Sequence, residues 1–269
     1  MSGQFETRSR RLSVVFPQPS LWSQLAWRLR PVDCQSLACT GFEGLAGNVP
    51  PETKAFVSDS YPHNHTYTPL DDRLIPHRKL AVRVAGLFRY YPRPLTSLLD
   101  LSCSKGFFVF HAAAQKTCER ALGIDLSDEC LSVCRLFNAK FANQSRVSFE
   151  RLTLPELAAG IDRFGGPFQT ALLLNTYQYL FFGSTVAPAV GQDHREIFRL
   201  LRRVCSGRLL FHNRLSLADL QSDPQDRALL GGTGALYHPE AIRHAATEFF
   251  QITELRRWLG RPVWLLDAK

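Results

Sequence analysis

Leu98-Leu99-Asp100-Leu101-Ser102-Cys103-Ser104-Lys105-Gly106-Phe107-Phe108 reads as a short apolar strand ending in an acid, then a turn of small residues, then the start of a helix. That is the layout of a nucleotide-type cofactor site in a βαβ unit. Small residues let the backbone approach a ligand closely, and a helix start offers N–H groups without intrahelical partners. The pattern recurs in Leu122-Gly123-Ile124-Asp125-Leu126-Ser127, again an apolar strand with an acid at its end. An acid roughly 20 residues past such a turn commonly binds ribose hydroxyls, because one carboxylate can accept from both.

Outward from this centre the chain alternates. Strands are expected at about 96–101, 120–125, 146–151, 169–174 and 208–212, and the last two at about 250–258 and 262–267. Helices are expected at about 106–119, after Ser127 as N-cap, over 194–204, and from Pro239, a residue suited to a first turn. Such alternation implies a mostly parallel sheet with helices on both faces. Leu259-Gly260-Arg261 suits a hairpin between the closing strands. Before the core, residues 77–91 form an amphipathic helix, with Leu80, Val84, Leu87, Phe88 and Tyr91 on one face and Arg78, Lys79, Arg83 and Arg89 elsewhere. Residues 1–15 read as a tail and 16–76 as irregular.

At these residues the chain resembles the class I S-adenosylmethionine-dependent methyltransferases, whose first motif reads D-x-G-x-G-x-G and whose second strand ends in Asp or Glu. The likeness runs from about Pro94 to Lys269, in a variant with a Ser-Lys-Gly turn. Ser102 and Ser104 stand where two of the glycines usually are, and Gly106 keeps the third. The resemblance implies an α/β, Rossmann-like, mostly parallel seven-stranded sheet with helices on both faces and one antiparallel strand near the C-terminus. Residues 1–76 would be a tail and cap segment, and 77–269 the methyltransferase domain with its leading helix. It also implies S-adenosyl-L-methionine as cofactor, held by Asp100, Ser102, Cys103, Ser104, Gly106, Asp125, Leu126, Thr153 and Asn175. Lys105 would face the cofactor's carboxylate or solvent. Thr153 occupies the place of a frequent family acid near the adenine. Asn175, Tyr177 and Tyr179 fall in the segment that lines the family's reaction centre. No N-P-P-Y tetrad is present, which argues against methylation of base amino groups.

Methyl transfer from a sulfonium is mainly a problem of alignment, and a base matters only when the acceptor carries a proton. His212, at the end of the fifth strand, is the first candidate base, and His194 the second; His238 belongs to a helix entry. Tyr61-Pro62-His63-Asn64-His65-Thr66-Tyr67 is a candidate lid or substrate selector. His63 and His65 have no third metal ligand nearby in sequence, so no metal is expected. The seven cysteines show no CxxC pair and read as reduced thiols of a cytoplasmic protein. No apolar run of membrane-spanning length occurs.

The formal charge is +8, of which residues 1–98 contribute +5, from 12 Lys/Arg against 7 Asp/Glu. Five arginines in the first 32 residues suggest a transit peptide, though their interleaved aromatics and prolines favour a mobile tail. The leading reading is methyl transfer to an oxygen or nitrogen atom of a small molecule. The basic N-terminal third raises an RNA acceptor as the alternative, and the substituted glycines raise a catalytically degenerate, partner-binding fold. A nicotinamide oxidoreductase is disfavoured, since Ser102–Gly106 does not supply G-x-G-x-x-G.

Overall fold

A computed structural model describes residues 31–221, 236–258 and 261–269. The expected tail over 1–15, all but the last two residues of the targeting segment considered over 1–32, and the Leu259-Gly260 link lie outside the described residues.

Seven strands form the main sheet: β4 (Ser97–Asp100), β5 (Arg120–Ile124), β6 (Val147–Glu150), β7 (Phe168–Leu174), β8 (Cys205–His212), β9 (Phe250–Trp258) and β10 (Arg261–Ala268). Their order is β6-β5-β4-β7-β8-β10-β9. β4 runs parallel to both β5 and β7, while β10 runs antiparallel to both β8 and β9. The chain therefore builds outward in one direction from β4 to β6 and in the other from β7. The crevice beside β4 and β7 is the switch point at which open α/β sheets bind ligands.

The helices follow from local sequence. In α5 (Asp128–Asn138), Ser127 Oγ accepts from the Cys130 amide at 3.2 Å, and Leu131, Cys134 and Phe137 are buried at helical spacing. α6 (Leu154–Ala159) opens with a capping box between Thr153 and Glu156. α8 (His194–Val204) is capped by Asp193 and buries Ile197, Leu200, Leu201 and Val204. Its outward Arg195 and Arg199 pair with Glu248 and Glu196. α9 (Leu217–Gln221) follows β8, and α10 (Pro239–Phe249) starts at its proline. Leu99, Leu122, Ala171, Leu173 and Leu209 from the sheet join residues of α6, α8 and α10 in one core. On the other face Phe110 of α4 (Phe107–Ala113) packs against Phe42, Phe141 and Phe149.

Residues 31–76 are not irregular. They hold a three-stranded antiparallel sheet in the order β1-β3-β2, from β1 (Cys39–Thr40), β2 (Tyr67–Leu70) and β3 (Arg73–Pro76), with α1 (Leu45–Asn48) and α2 (Pro51–Asp59). Strands of two and four residues are too short for alternation to register. The β2–β3 turn is Asp71-Asp72, with Asp71 at φ 53°, in place of the usual Asn-Gly signal. Pro31–Lys269 cluster as one compact unit, so this segment belongs to the body that carries the sheet. In α3 (Arg78–Phe88), Arg83 also departs from expectation. It is 1% exposed, donates to the Asn64 carbonyl (3.1 Å) and meets His65 Nε2 (2.7 Å), so a partnered cation lies on the buried side. Among the described residues no helix is long and apolar enough to cross a membrane.

Gly123 faces β6 across a tight gap. A Cβ there would lie 2.8 Å from Cys103 Sγ and 2.8 Å from the Phe149 ring. Gly123→Ala should therefore destabilise the protein by roughly 1–3 kcal/mol through overpacking, read as a lower urea midpoint at unchanged slope.

Candidate functional site

A cavity of about 730 Å³ opens at the C-terminal ends of β5, β4, β7 and β8. β10 is antiparallel, so its first residue reaches the same edge.

The turn after β4 forms the cavity floor. Ser104 takes a left-handed conformation at φ 49°, and Gly106 another at φ 78°. Ser102 needs no positive φ, so the missing glycine there costs nothing conformationally. Ser104 bears strain that glycine would not, and its contacts offset it. Its amide donates to Asp125 Oδ2 at 2.7 Å, and its carbonyl accepts from the Cys134 thiol at 3.3 Å. Asp125 Oδ1 accepts from the amides of Leu126 (2.8 Å) and Ser127 (3.0 Å). Three of roughly four acceptor positions on this carboxylate are thus filled by backbone, and the residue lines the cavity.

Asp100 lies beneath the turn, 1% exposed. Its Oδ1 is 3.5 Å from the Ser102 amide, and its Oδ2 is buried without a partner. Burial raises its pKa to about 7, against the lowering influence of the Ser102 amide and Arg83. Ser104 Oγ, at the cavity wall, is also buried without a partner.

Ser102, Ser104, Asp125, Leu126, Thr153 and Asn175 are brought together on the cavity wall. Thr153 Oγ1 is committed to its helix: it donates to Glu156 Oε2 at 2.7 Å and accepts from the Glu156 amide at 3.4 Å. Asn175 sits at φ 61° immediately after β7, and its Oδ1 accepts from Arg261. Asn213 holds this segment, its Oδ1 accepting from the Thr176 and Tyr177 amides at 2.8 and 3.0 Å. Cys103 and Gly106 do not line the cavity; they pack under the turn against Gly123, Cys134 and Phe149.

Two candidate catalytic residues are placed elsewhere. Tyr177, the first residue of α7 (Tyr177–Phe182), points into the core, where its hydroxyl meets His194 Nδ1 at 2.7 Å and its ring packs on Phe198 and Phe211. His212 is 1% exposed and absent from the cavity wall; its carbonyl accepts from the Asn175 amide at 2.9 Å. His194, between Tyr177 and the Leu236 carbonyl, is a core histidine whose pKa burial lowers. His238 caps α10 through Nδ1. Lys105 is buried and does not line the cavity. Its Nζ donates to the Ser60 carbonyl at 2.8 Å and lies 5.3 Å from the Phe56 ring centre.

That lysine anchors the segment read as a lid. Tyr61, His63, Asn64 and His65 all line the cavity. Tyr67 Oη donates to the Lys105 carbonyl at 2.6 Å, so both ends of the stretch are fastened to the turn after β4. His65 is held neutral by burial and by Arg83, which lower its pKa. Arg214, Arg261 and Lys79 also line the cavity and were not singled out from sequence. Arg214 stands two residues past a parallel strand, next to Asn213, the counterpart of Asn175. Arg261 became visible only through the antiparallel course of β10.

No protein-family profile and no curated protein sequence matches the chain. Solved structures do. The PH0226 protein of Pyrococcus horikoshii OT3 is similar at 15% identity and a TM-score of 0.52, over 80% of this chain and 96% of that one. A geranyl diphosphate methyltransferase in complex with SAM is similar at 10% identity and a TM-score of 0.50, over 72% and 87%. The bifunctional kinase-methyltransferase WbdD matches at 21% identity and a TM-score of 0.45 over 68% of this chain, which spans only 36% of the WbdD chain. The chain has the Rossmann-like fold of the SAM-dependent methyltransferases.

The buried acid under the turn sets a pH dependence. Because the folded-state pKa of Asp100 is raised, the folded state prefers the neutral carboxyl. Stability is then fullest below about pH 4 and falls as pH rises through about 7, by up to roughly 4 kcal/mol. Asp100→Asn cannot ionise, so it should match the parent near pH 4 and exceed it in urea midpoint at pH 8. Parallel stability profiles would contradict this.

Proposed function

We propose that this chain transfers a methyl group from S-adenosylmethionine to an oxygen or nitrogen atom of a small molecule. The observation that carries the reading is Asp125, which lines the cavity and whose carboxylate fastens the Ser104 turn at the switch point. Two orphaned polar atoms fit the rest of the cofactor. Asp100 Oδ2 suits an ammonium, and Ser104 Oγ suits a polar group of the same amino-acid end. Leu126, Leu152, Leu154 and Pro155 offer an apolar slot for the adenine.

Bound there, the cofactor supplies an electrophilic methyl whose leaving group is a neutral thioether. The protein's part is to hold the acceptor in line with it. Asn175, fixed by Asn213 and aimed by its left-handed backbone, stands where the cofactor half of the cavity meets the other half. His63, an exposed residue that also lines the cavity, is the candidate to take a proton from an acceptor that carries one.

Thermal unfolding with S-adenosylhomocysteine tests this. At about 100 times its dissociation constant the ligand adds roughly 2.7 kcal/mol, a rise on the order of 5–10 °C for a chain of this size. The rise should be absent with NADH and lost in Asp125→Ala. No rise at millimolar ligand would favour the partner-binding alternative.

A further inference from the structure

Among the described residues four large apolar side chains are exposed: Tyr61, Leu70, Val186 and Leu236. Leu70, in β2, and Leu236 do not line the cavity. Tyr61 and Val186 both do, at 60% and 61% exposure. Apolar side chains scattered singly over a surface need no partner, but two that line one concavity bias it toward an apolar ligand. Both also stand on fastened backbone. Tyr61 lies between Ser60 and Tyr67, the two residues that Lys105 holds, and its ring meets that of His63 edge-on with centres 6.4 Å apart. Val186 lies in the loop that follows α7, and this loop folds back on its helix. The Val190 amide donates to the Leu180 carbonyl at 2.8 Å, and a Cβ at Gly183 would lie 2.8 Å from the Ala189 nitrogen. Ser184 serves the loop itself: its amide donates to the Ala187 carbonyl at 2.8 Å, and its Oγ accepts from the Val186 and Ala187 amides at 3.3 and 3.1 Å. The rest of the loop's contribution to the cavity wall is Val186, Ala187, Pro188, Ala189 and Val190, five side chains without a polar atom.

We infer that the methyl acceptor is an apolar small molecule whose hydrocarbon body rests on this loop and on Tyr61. This rests on the methyl-transfer reading of the same cavity. Size bounds the molecule. The whole cavity is about 730 Å³, within the roughly 300–1,000 Å³ that takes one drug-sized ligand, and the cofactor fills part of it. The driving force is the apolar surface of ligand and wall that leaves water on binding. Because the loop and the 61–67 segment are already fastened, binding has little left to order, so most of that gain is kept as affinity. Tyr61 and Val186 are then residues that determine specificity, selecting an acceptor by its hydrocarbon body rather than by its charge.

The test uses the full chain saturated with S-adenosylhomocysteine and titrated calorimetrically with two graded series, 1-butanol to 1-octanol and phenol against 2-naphthol. In at least one series affinity should climb with size, by about two- to fourfold per added methylene or about tenfold from phenol to naphthol. The series that climbs more steeply shows whether the body is aliphatic or aromatic. Val186→Asp and Tyr61→Ser change exposed side chains, so the S-adenosylhomocysteine rise should persist in both. Each should weaken the largest probe about fivefold or more and flatten the climb. Leu70→Asp, also an exposed apolar position but outside the cavity lining, should change neither. No climb in either series, or a climb that survives Val186→Asp and Tyr61→Ser together, would overturn the inference. Failure of the parent reading looks different: the S-adenosylhomocysteine rise is then missing from the unsubstituted protein.

Discussion

The Asp125 carboxylate is the contact on which the cavity depends. It receives three backbone amides from two different strand ends, Ser104 after β4 and Leu126 and Ser127 after β5. Backbone amides bound to a carboxylate are charge-assisted and short, and together they specify two loops at once. The turn after β4 needs such a partner. Ser104 occupies a left-handed conformation that a side chain resists, and nothing in the Ser102–Gly106 sequence alone would hold it there. The neighbouring small residues follow from the same demand. Gly123 lets Cys103 lie flat on β5, and Gly106 keeps clear of the Cys134 thiol.

A second group of contacts ties the N-terminal segment to that turn. Lys105 holds it at two points: its carbonyl accepts from the Tyr67 hydroxyl, and its ammonium donates to the Ser60 carbonyl. Arg83, buried in α3, holds Asn64 and His65 from behind. The guanidinium keeps two donor nitrogens without partners. Leaving buried donors unmatched is costly, yet the arrangement fixes the one segment of residues 31–76 that walls the cavity. The wall is therefore set by the same residues as the turn, and the two cannot be rearranged independently.

The main sheet was legible because its signals are local and repeated: apolar strands ending in Asp100 and Asp125, the Ser127 cap, and the apolar stripe of the helix from His194 to Val204. The hairpin at the C-terminus was legible for the same reason. The cap was not, because its strands run two to four residues and its turn is Asp-Asp. For the site, the sequence led to Ser102, Ser104, Asp125, Leu126, Thr153 and Asn175, which line the cavity, and to Asp100, Cys103 and Gly106, which lie beneath its wall. It misplaced Tyr177 and His212, since proximity to a strand end does not determine which way a side chain points. Tyr177 opens a helix whose first turn faces the core, and His212 is covered within the sheet's end. Arg83 was misread because helical spacing separates polar from apolar faces but cannot tell when a cation is buried with partners.

Asp100 shows how stability and binding are set against each other at one position. Its carboxyl is buried under the turn with one oxygen unmatched, and the folded state by itself favours the neutral acid. Ionising it at neutral pH costs free energy that only a cation placed beside it can return. Arg83 supplies part of that field. A ligand ammonium at Oδ2 would supply the rest, so binding would draw the acid into its charged form and lower its pKa. By linkage, the same ligand should then bind more tightly as pH rises through about 7. On the proposed reading, a stabilising replacement at Asp100 would forfeit that gain in binding.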